Sequence, residues 1–503
     1  MRLGAIVVVG ATGEIERPDA ARPRLLKDPG KNFLVDQPLA CVEIVGRSMT
    51  ERLIERFLSA GVEIVSVLIA SEGYQPKFRT SFDEDKVEIE CVQDVPAAIR
   101  QKIKALNDAG IDHAFLNSAD VYAETDFLDL FYFHREARQA VTSSFDRHGA
   151  LALWVVDCNK AQDPNLEISL DQSRSSAASY FIREYVNRLN HPRDLRQFAE
   201  DTLRGRCESR PSGQQVRPGV WMDDKAEAHR RARIVAPAYI GRGAEIKADA
   251  VVTRFSNIEK DSCVDCGTVV EDSSILENTN IGIWLDVCHA VVSGNKLLSL
   301  GRDVTVEISD ISIMRPRSGS SNNSGKRGRN KDKVVGSGSS KNATSGGSKK
   351  EQSKPLMWQS DAVFPGAGKM SSKGPVIIME LPEQLKQAQV KEFMSELRPL
   401  FESARPCIVL DCSKIQDIDS AGVEMLLDCL DTAMKRDGDL KLAAVSPASA
   451  IVLELMRVDR LFEVFDTTDE ATRSFQVFAP VAAPQTQPWY SSRYGLADLK
   501  TAN

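Results

Sequence analysis

The stretch KIQDIDSAGVEMLL, from Lys414 to Leu427, decides the fold of the C-terminal part of the chain. A short apolar run, Cys407–Leu410, precedes it and ends at an aspartate, which is typical of a buried strand. After Ser420, apolar residues recur at three- and four-residue steps, as in a helix; they are Val423, Leu426, Leu427, Leu430 and Met434. The stretch therefore predicts a strand-to-helix junction with Ser420 at or next to the helix N-cap.

A serine in that position has two interpretations. In the first, Ser420 and its neighbour Asp419 only satisfy free N–H groups at the start of the helix. In the second, Ser420 is phosphorylated, and its phosphate meets free amides and the positive end of the helix dipole. The phosphate would add roughly −1.5 to −2 of charge beside Asp417 and Asp419, which is enough to change a binding surface. The pattern alone leaves both interpretations open.

Residues 374–477 resemble a STAS domain, the fold of bacterial anti-sigma factor antagonists. The matching pieces follow the order of that family: the strand IVLDCSKIQDID, the signature DSAG at Asp419–Gly422, the helix VEMLLDCLDTAMKRDG, the strand LKLAAV, and VLELMRVDRLFEVF at Val452–Phe465. In that family, the serine directly after the aspartate is phosphorylated by an anti-sigma kinase. The resemblance implies that Ser420 is the switch, that Asp419 orients it, and that the partner is an anti-sigma factor or switch kinase.

The first region, residues 1–216, alternates apolar strands with amphipathic helices. A strand at Ala5–Val9 opens the chain, and Ser48 with Glu51 forms a capping box before a helix with one apolar face. Further strands and helices follow in turn. Such alternation favours an α/β domain with a mostly parallel sheet.

The turn after the first strand, Gly10-Ala11-Thr12-Gly13, has the composition of a phosphate-binding loop. Gly10 and Gly13 are therefore candidate nucleotide-binding residues. A dinucleotide fingerprint is incomplete, because Glu16 stands where the third glycine belongs and no helical period follows.

Two segments of this region resemble sugar nucleotidyltransferases: Gln37-Pro38-Leu39-Ala40 with the VEIVGRSMTERLIERFLSAGV that follows shortly after, and FLNSADVYAETDFLDLFYFHRE at Phe115–Glu136. Active relatives have a glycine-rich loop with an arginine, a lysine before the proline, and a magnesium-binding aspartate after an Asn-Gly pair. Here the loop lacks Thr-Arg-Leu, Gln37 takes the place of the lysine, and Asn117-Ser118-Ala119-Asp120 replaces the Asn-Gly-Asp element. Asp120 is the candidate metal ligand.

Phosphoryl transfer depends on cations that position and neutralise the phosphates. Because the loop arginine and the lysine are missing, we expect a non-catalytic nucleotidyltransferase-like domain that requires no cofactor. The alternative is an active sugar-phosphate nucleotidyltransferase with a regulatory STAS tail, in which case a nucleotide and Mg²⁺ bind the first region.

The middle region, residues 217–310, contains an internal repeat. Aliphatic residues stand six positions apart; they are Ile234, Ile240, Ile246, Val252, Ile258, Val264 and Val270. Leu276 is predicted to continue the series, with Ile281 one position early and Val287 restoring the step. A six-residue apolar period is typical of hexapeptide β-helix turns. The region resembles the left-handed parallel β-helix that often follows a nucleotidyltransferase domain, and it predicts a possible homo-oligomer through that helix.

Residues 311–373 are rich in Ser, Gly, Asn and Lys, which predicts a disordered basic linker. Eleven basic residues stand against two acidic ones between Arg315 and Lys354. They are interpreted either as a solvated tether or as a weak contact for nucleic acid or anionic lipid. The Pro-, Ala- and Gln-rich residues 478–503 predict a disordered tail.

Composition limits the functional classes. The net charge of −7 over 503 residues makes nucleic acid an unlikely main partner, and no apolar run reaches the roughly 18 to 20 residues of a membrane span. Ten scattered cysteines predict a reduced, cytoplasmic protein. The combined hypothesis is a bacterial signalling protein that acts through the STAS domain. A further possibility is a STAS domain that serves only in assembly, without phosphorylation.

Overall fold

The computed structural model describes residues 2–10, 33–34, 37–70, 74–160, 178–317, 376–403 and 405–475. A seven-stranded sheet with the order β3-β2-β1-β4-β7-β6-β8 forms the centre of the first region, and β5 pairs with β9 beside it. The strands are β1 (Leu3–Val9), β2 (Ile64–Ile69), β3 (Val87–Cys91), β4 (His113–Ser118), β5 (Val121–Ala123), β6 (Val141–Asp146), β7 (Gly149–Asp157), β8 (Ala178–Phe181) and β9 (Val186–Arg188). Four neighbouring pairs of the large sheet run parallel and two run antiparallel. The predicted alternation of strands and helices is therefore present.

Three α-helices pack against this sheet; they are α1 (Met49–Ser59), α2 (Val95–Asp108) and α3 (Phe127–Ala137), and a fourth helix, α4 (Pro192–Arg204), packs against β9 and against the middle region. A short 3-10 helix at Leu39–Cys41 precedes α1. The predicted capping box is present, because Ser48 Oγ accepts from the Glu51 amide and the Glu51 carboxylate accepts from the Ser48 amide at 3.0 Å. Helix α1 buries Leu53, Ile54 and Phe57, as its apolar period predicts.

Short strands in three further sheets form the middle region. They are β10 (Gln214–Arg217), β11 (Val220–Met222), β12 (Glu227–Ala228), β13 (Arg233–Ile234), β14 (Ala238–Ile240), β15 (Glu245–Ile246), β16 (Val251–Thr253), β17 (Asn257–Ile258), β18 (Cys263–Val264), β19 (Val269–Glu271), β20 (Ser274–Ile275), β21 (Thr279–Ile281), β22 (Asp286–Cys288), β23 (Ala290–Ser293), β24 (Lys296–Ser299), β25 (Val304–Glu307) and β26 (Met314–Pro316). The sheet orders are β10-β11-β14-β17-β20-β23-β24-β25, β12-β15-β18-β21-β26 and β13-β16-β19-β22. Each strand from β11 to β20 pairs in parallel with the strand three places further on in the chain.

Most side chains of the six-residue series are buried in the core of this region, but the prediction is wrong at one position, Leu276. Ile240 pairs with Ile258, and Ile258 pairs with Ile275, so the repeat shortens by one residue at Ile275. Ile275 lies in the core of the middle region, whereas Leu276 packs into the core of the first region. Successive residues of a strand point to opposite faces, so the two aliphatic neighbours cannot share one core.

The predicted linker also begins too early. Strand β26 pairs antiparallel with β21, and Met314 lies opposite Ile281. Ile313 and Met314 are buried at 2% and 1% exposure. The low apolar content that predicted a linker applies only after this strand. The rest of the predicted linker and the predicted tail lie outside the described residues, and the other domain boundaries remain predictions.

A four-stranded parallel sheet with the order β27-β29-β31-β32 forms the C-terminal part. Its strands, with the separate pair β28-β30, are β27 (Val376–Glu380), β28 (Gln384–Leu385), β29 (Cys407–Asp411), β30 (Asp417–Ile418), β31 (Asp439–Ala443) and β32 (Glu463–Phe465). The helices are α5 (Gln387–Leu397), α6 (Ser420–Met434), α7 (Pro447–Leu455) and α8 (Thr468–Ser474), with 3-10 helices at Arg398–Glu402 and Asp459–Leu461.

The described residues of 2–317 and 376–475 form one compact unit. One continuous apolar core includes Val306 and Ile308 of the middle region with Ile418 and Val452 of the C-terminal part. In the part of the chain that the structure describes, no helix combines the length and the apolar character needed to cross a membrane.

Candidate functional site

Ser420 is the first residue of helix α6, directly after the N-cap residue. The N-cap is Asp419, whose Oδ1 accepts from the Gly422 amide at 2.8 Å and whose Oδ2 accepts from the Gln387 amide at 3.0 Å. A side chain at position 422 would collide with the Leu385 carbonyl, so the glycine of the DSAG signature permits close packing between α6 and β28. The capping interpretation thus applies to Asp419, and it leaves Ser420 available for a second role.

A carboxylate from the middle region occupies the start of the same helix. Asp310 Oδ2 accepts from the Ser420 amide at 3.0 Å. Asp310 Oδ1 accepts from the amide and the hydroxyl of Ser312 at 2.8 and 2.7 Å. Burial would raise the pKa of Asp310, but the hydrogen bonds from Ser312 and Ser420 outweigh it and lower the pKa to about 2. Asp310 is therefore ionised at physiological pH.

The sequence prediction missed Asp310. Its local signal is the Asp-x-Ser spacing of Asp310 and Ser312, which is typical of an Asx turn. That pattern explains the bonds within the turn. It gives no indication of Ser420, which is 110 positions away along the chain.

A polar cleft of about 440 Å³ opens beside Ser420. Its walls include Asp310, Lys386, Asp419 and Glu424. Lys386 Nζ lies 2.6 Å from the Asp417 carboxylate, so this lysine is already paired with an acid. Ser420 is half-buried and lies in surroundings that are rich in carboxylates. A neutral hydroxyl is stable there as a donor, whereas an added dianion would meet like charges.

The nucleotide candidates of the first region lie on neighbouring strands. Gly10 follows β1 with φ 81°, and Asp120 follows β4. Because β1 and β4 run parallel with Val8 opposite Ser118, both residues lie at the same edge of the sheet. Burial raises the pKa of Asp120 to about 6, against the lowering effect of a hydrogen bond from Ser118 Oγ at 3.1 Å. Gly13 lies outside the described residues.

Metal binding by Asp120 remains a prediction. Among the residues whose positions are described, no three or more His, Cys, Asp or Glu side chains are grouped to hold a metal ion. Gln37, which takes the place of the expected lysine, donates from Nε2 to the Cys41 carbonyl at 2.9 Å.

Residues 369–471 contain a STAS domain, which confirms the sequence prediction for this part of the chain. No family match supports the nucleotidyltransferase and β-helix resemblances of the regions before it. A search of curated proteins finds no match to the chain.

Proposed function

We propose that this protein is a regulatory protein whose STAS domain binds a protein partner, with phosphorylation of Ser420 as the switch. The position of Ser420 supports this proposal: it directly follows the cap of α6 inside the STAS domain and faces an open cleft. By resemblance, the partner is an anti-sigma factor or a switch kinase of a bacterial cytoplasm.

The chemistry of a phosphoserine explains how such a switch works. The phosphate adds roughly −1.5 to −2 of charge and replaces the hydroxyl donor by acceptor oxygens. Asp417 and Asp419 flank the serine, and Glu424 lies on the next turn of α6. Phosphorylation therefore changes the surface that a partner meets from a neutral hydroxyl to a strongly acidic group.

We further infer that the first two regions form a non-catalytic platform, in which a nucleotidyltransferase-like domain precedes a left-handed parallel β-helix. Parallel partners lie 18 residues apart, as Ile240 and Ile258 do, which is the interval of three six-residue sides per turn. The aliphatic residues at these positions fill the core. Gln37 in place of the lysine supports the absence of catalysis.

Mass spectrometry of the protein purified from its own cells tests the proposed switch. We expect phosphate at Ser420, and we expect Ser420→Ala and Ser420→Asp to retain different partners in a pull-down. Ser403→Asp is the matched control, because Ser403 is an exposed serine of the same domain. Absence of phosphate under every growth condition, together with identical partners for both variants, would reject the proposal.

An active sugar-phosphate nucleotidyltransferase is the second candidate. The shared sheet edge of Gly10 and Asp120 favours it, because catalysis would need both at one site. Incubation of the full chain with nucleoside triphosphates, sugar 1-phosphates and Mg²⁺ decides the question. Formation of a nucleotide sugar that Asp120→Asn abolishes would remove the non-catalytic interpretation.

A further inference from the structure

We propose that residues 302–312, here called the clasp segment, are an internal partner of the STAS domain and hold the Ser420 surface closed until Ser420 becomes negatively charged. This inference rests on the proposed function, since it describes how that switch is regulated. It also names what occupies the surface before an external partner binds, namely a segment of the same chain.

The central contact places an acid where a helix attracts one. Free amides and the helix dipole make the first turn of α6 favourable for negative charge. Asp419 satisfies the Gly422 amide, and Asp310 satisfies the Ser420 amide from the other side. The Ser312 bonds hold the Asp310 carboxylate in this orientation. Two carboxylates from different parts of the chain thus share one helix start.

Polar contacts of residues before Asp310 extend the docked surface. Ser309 Oγ donates to the two Asp417 oxygens at 3.2 and 3.1 Å. Further along, the Arg302 guanidinium forms an ion pair with Glu454 of helix α7. These contacts involve side chains that precede Asp310, so the clasp segment is held from Arg302 to Asp310.

An apolar contact lies between the polar ones. Val306 and Ile308 face Ile418 and Val452 across a cavity of only about 20 Å³. Val306, Ile308, Ile418 and Val452 are each at most 9% exposed. Such close packing removes apolar surface from water, which favours the docked state.

A phosphate on Ser420 acts directly against this arrangement. The Ser420 amide donates to Asp310 at 3.0 Å, so phosphorylation of the Ser420 side chain places a dianion next to that carboxylate. The phosphate also competes with Asp310 for the amide at the start of α6. Repulsion and competition therefore both favour release of the clasp segment.

Release changes what an external partner finds. When the clasp segment is released in only a fraction of the molecules, the apparent affinity of a partner that binds the released form falls in proportion to that fraction. A partner of the open form would therefore bind more tightly after the contact at Asp310 is weakened, even though Asp310 is outside the STAS domain. This links the middle region to the switch.

Photocrosslinking in the full chain tests the inference. Ile311 is 70% exposed and lines the cleft beside Ser420, so p-benzoylphenylalanine can replace it. In the otherwise unchanged protein, we expect crosslinks to the STAS wall of the cleft at residues 386–387 and 420–424. Ser420→Asp and Asp310→Ala should each lower the crosslink yield roughly tenfold, as expected for the loss of charge-assisted hydrogen bonds.

Matched controls separate docking from general damage. Ser403→Asp adds an acid to an exposed part of the STAS domain, and Asp303→Ala removes an exposed acid that pairs with Arg193. Both should keep the original yield. Circular dichroism checks folding, and Asp310→Asn replaces Asp310→Ala if the alanine variant does not fold.

Two results would overturn the inference: no crosslink to the STAS domain in the unchanged protein, or the same yield for Ser420→Asp as for Ser403→Asp. Failure of the proposed function looks different. In that case the acidic substitution still opens the clasp segment, but Ser420 carries no phosphate in cells and no partner depends on it.

Discussion

The middle region meets its two neighbours through junctions of different chemistry. Towards the first region, the contacts bury charge: Asp223 has a fully buried side chain, paired with Arg79 of the first region. Towards the STAS domain, the polar contacts of Asp310 and Ser309 lie at a cleft, and Ser309 is exposed. A buried ion pair is costly to break, whereas a contact open to water can separate and be rehydrated. The comparison indicates buried ion pairs at the first junction, and at the second junction polar contacts open to water beside a shared apolar core.

Arg196 of helix α4 also forms buried polar contacts at the first junction, which joins the first and middle regions. Its side chain is 4% exposed and lies 2.6 Å from the Asp272 carboxylate of the middle region. It also donates to the Phe255 carbonyl at 3.0 Å. These bonds fix the first region to the middle region through an arginine side chain that is almost fully buried.

Removal of Arg79 should give the largest effect. Arg79 donates to both Asp223 oxygens, at 2.8 Å to Oδ1. Burial would raise the pKa of Asp223, but the hydrogen bonds and charge of Arg79, together with hydrogen bonds from the Asp224 amide and Tyr239, outweigh it, and the pKa falls below its usual value. Arg79→Ala leaves that carboxylate buried without its cation and should lower the free energy of unfolding by about 3 kcal/mol.

Urea denaturation followed by circular dichroism measures this loss. The control is Arg231→Ala, because the Arg231–Asp249 pair is 62% and 52% exposed. Exposed pairs contribute at most about 1 kcal/mol. Equal effects for the two variants would contradict the view that the first junction depends on buried charge.

Removal of Arg457 should weaken only the second junction, which joins the middle region and the STAS domain. This STAS residue donates to the carbonyls of Gly267 and Leu285 at 3.1 and 2.9 Å. Loss of both bonds should weaken the docking of the STAS domain by about 1–2 kcal/mol and leave the contacts of the first junction unchanged. The crosslink yield from position 311 measures docking, and Arg460→Ala, an exposed neighbour, is the control. A change in unfolding as large as that of Arg79→Ala would show that the two junctions are equivalent.

Acid should open the second junction through Asp310. Its pKa falls from 3.8 to about 2 in the docked state, so the docked state prefers the ionised form. This contribution is complete above about pH 4 and is lost as the pH falls through 2. The crosslink yield of the unchanged protein should therefore decline over this interval, beyond any decline in Asp310→Asn. If the crosslink yields of the two proteins declined in parallel with pH, titration of Asp310 would not be the cause of the decline.

Local patterns explain which parts of the structure could be predicted from the sequence. The start of α6, the capping box at Ser48 and the buried aliphatic series each depend on residues a few positions apart. Periodicity and capping report such short-range relations. The STAS domain could be predicted for the same reason, since its signature is a contiguous stretch around Ser420.

The errors and omissions concern contacts between distant residues. Ile275 and Leu276 are both aliphatic, so strand register alone decides which of them enters the core of the middle region. Strand β26 was missed because its partner, β21, lies far upstream. Asp310 was missed because its relation to Ser420 arises only when the two parts of the chain dock.

The smallest effect should come from Ser420→Ala, and it separates the serine's two roles. The alanine variant keeps the backbone amide that donates to Asp310 at 3.0 Å and loses only the hydroxyl group. Its crosslink yield should therefore fall by no more than a few-fold, in line with one hydrogen bond of about 1 kcal/mol. Ser420→Asp, which changes the same atoms but adds charge, should fall much further. If alanine opened the second junction as fully as aspartate does, the hydroxyl itself would hold the STAS domain, and charge on Ser420 would not be the signal that releases it.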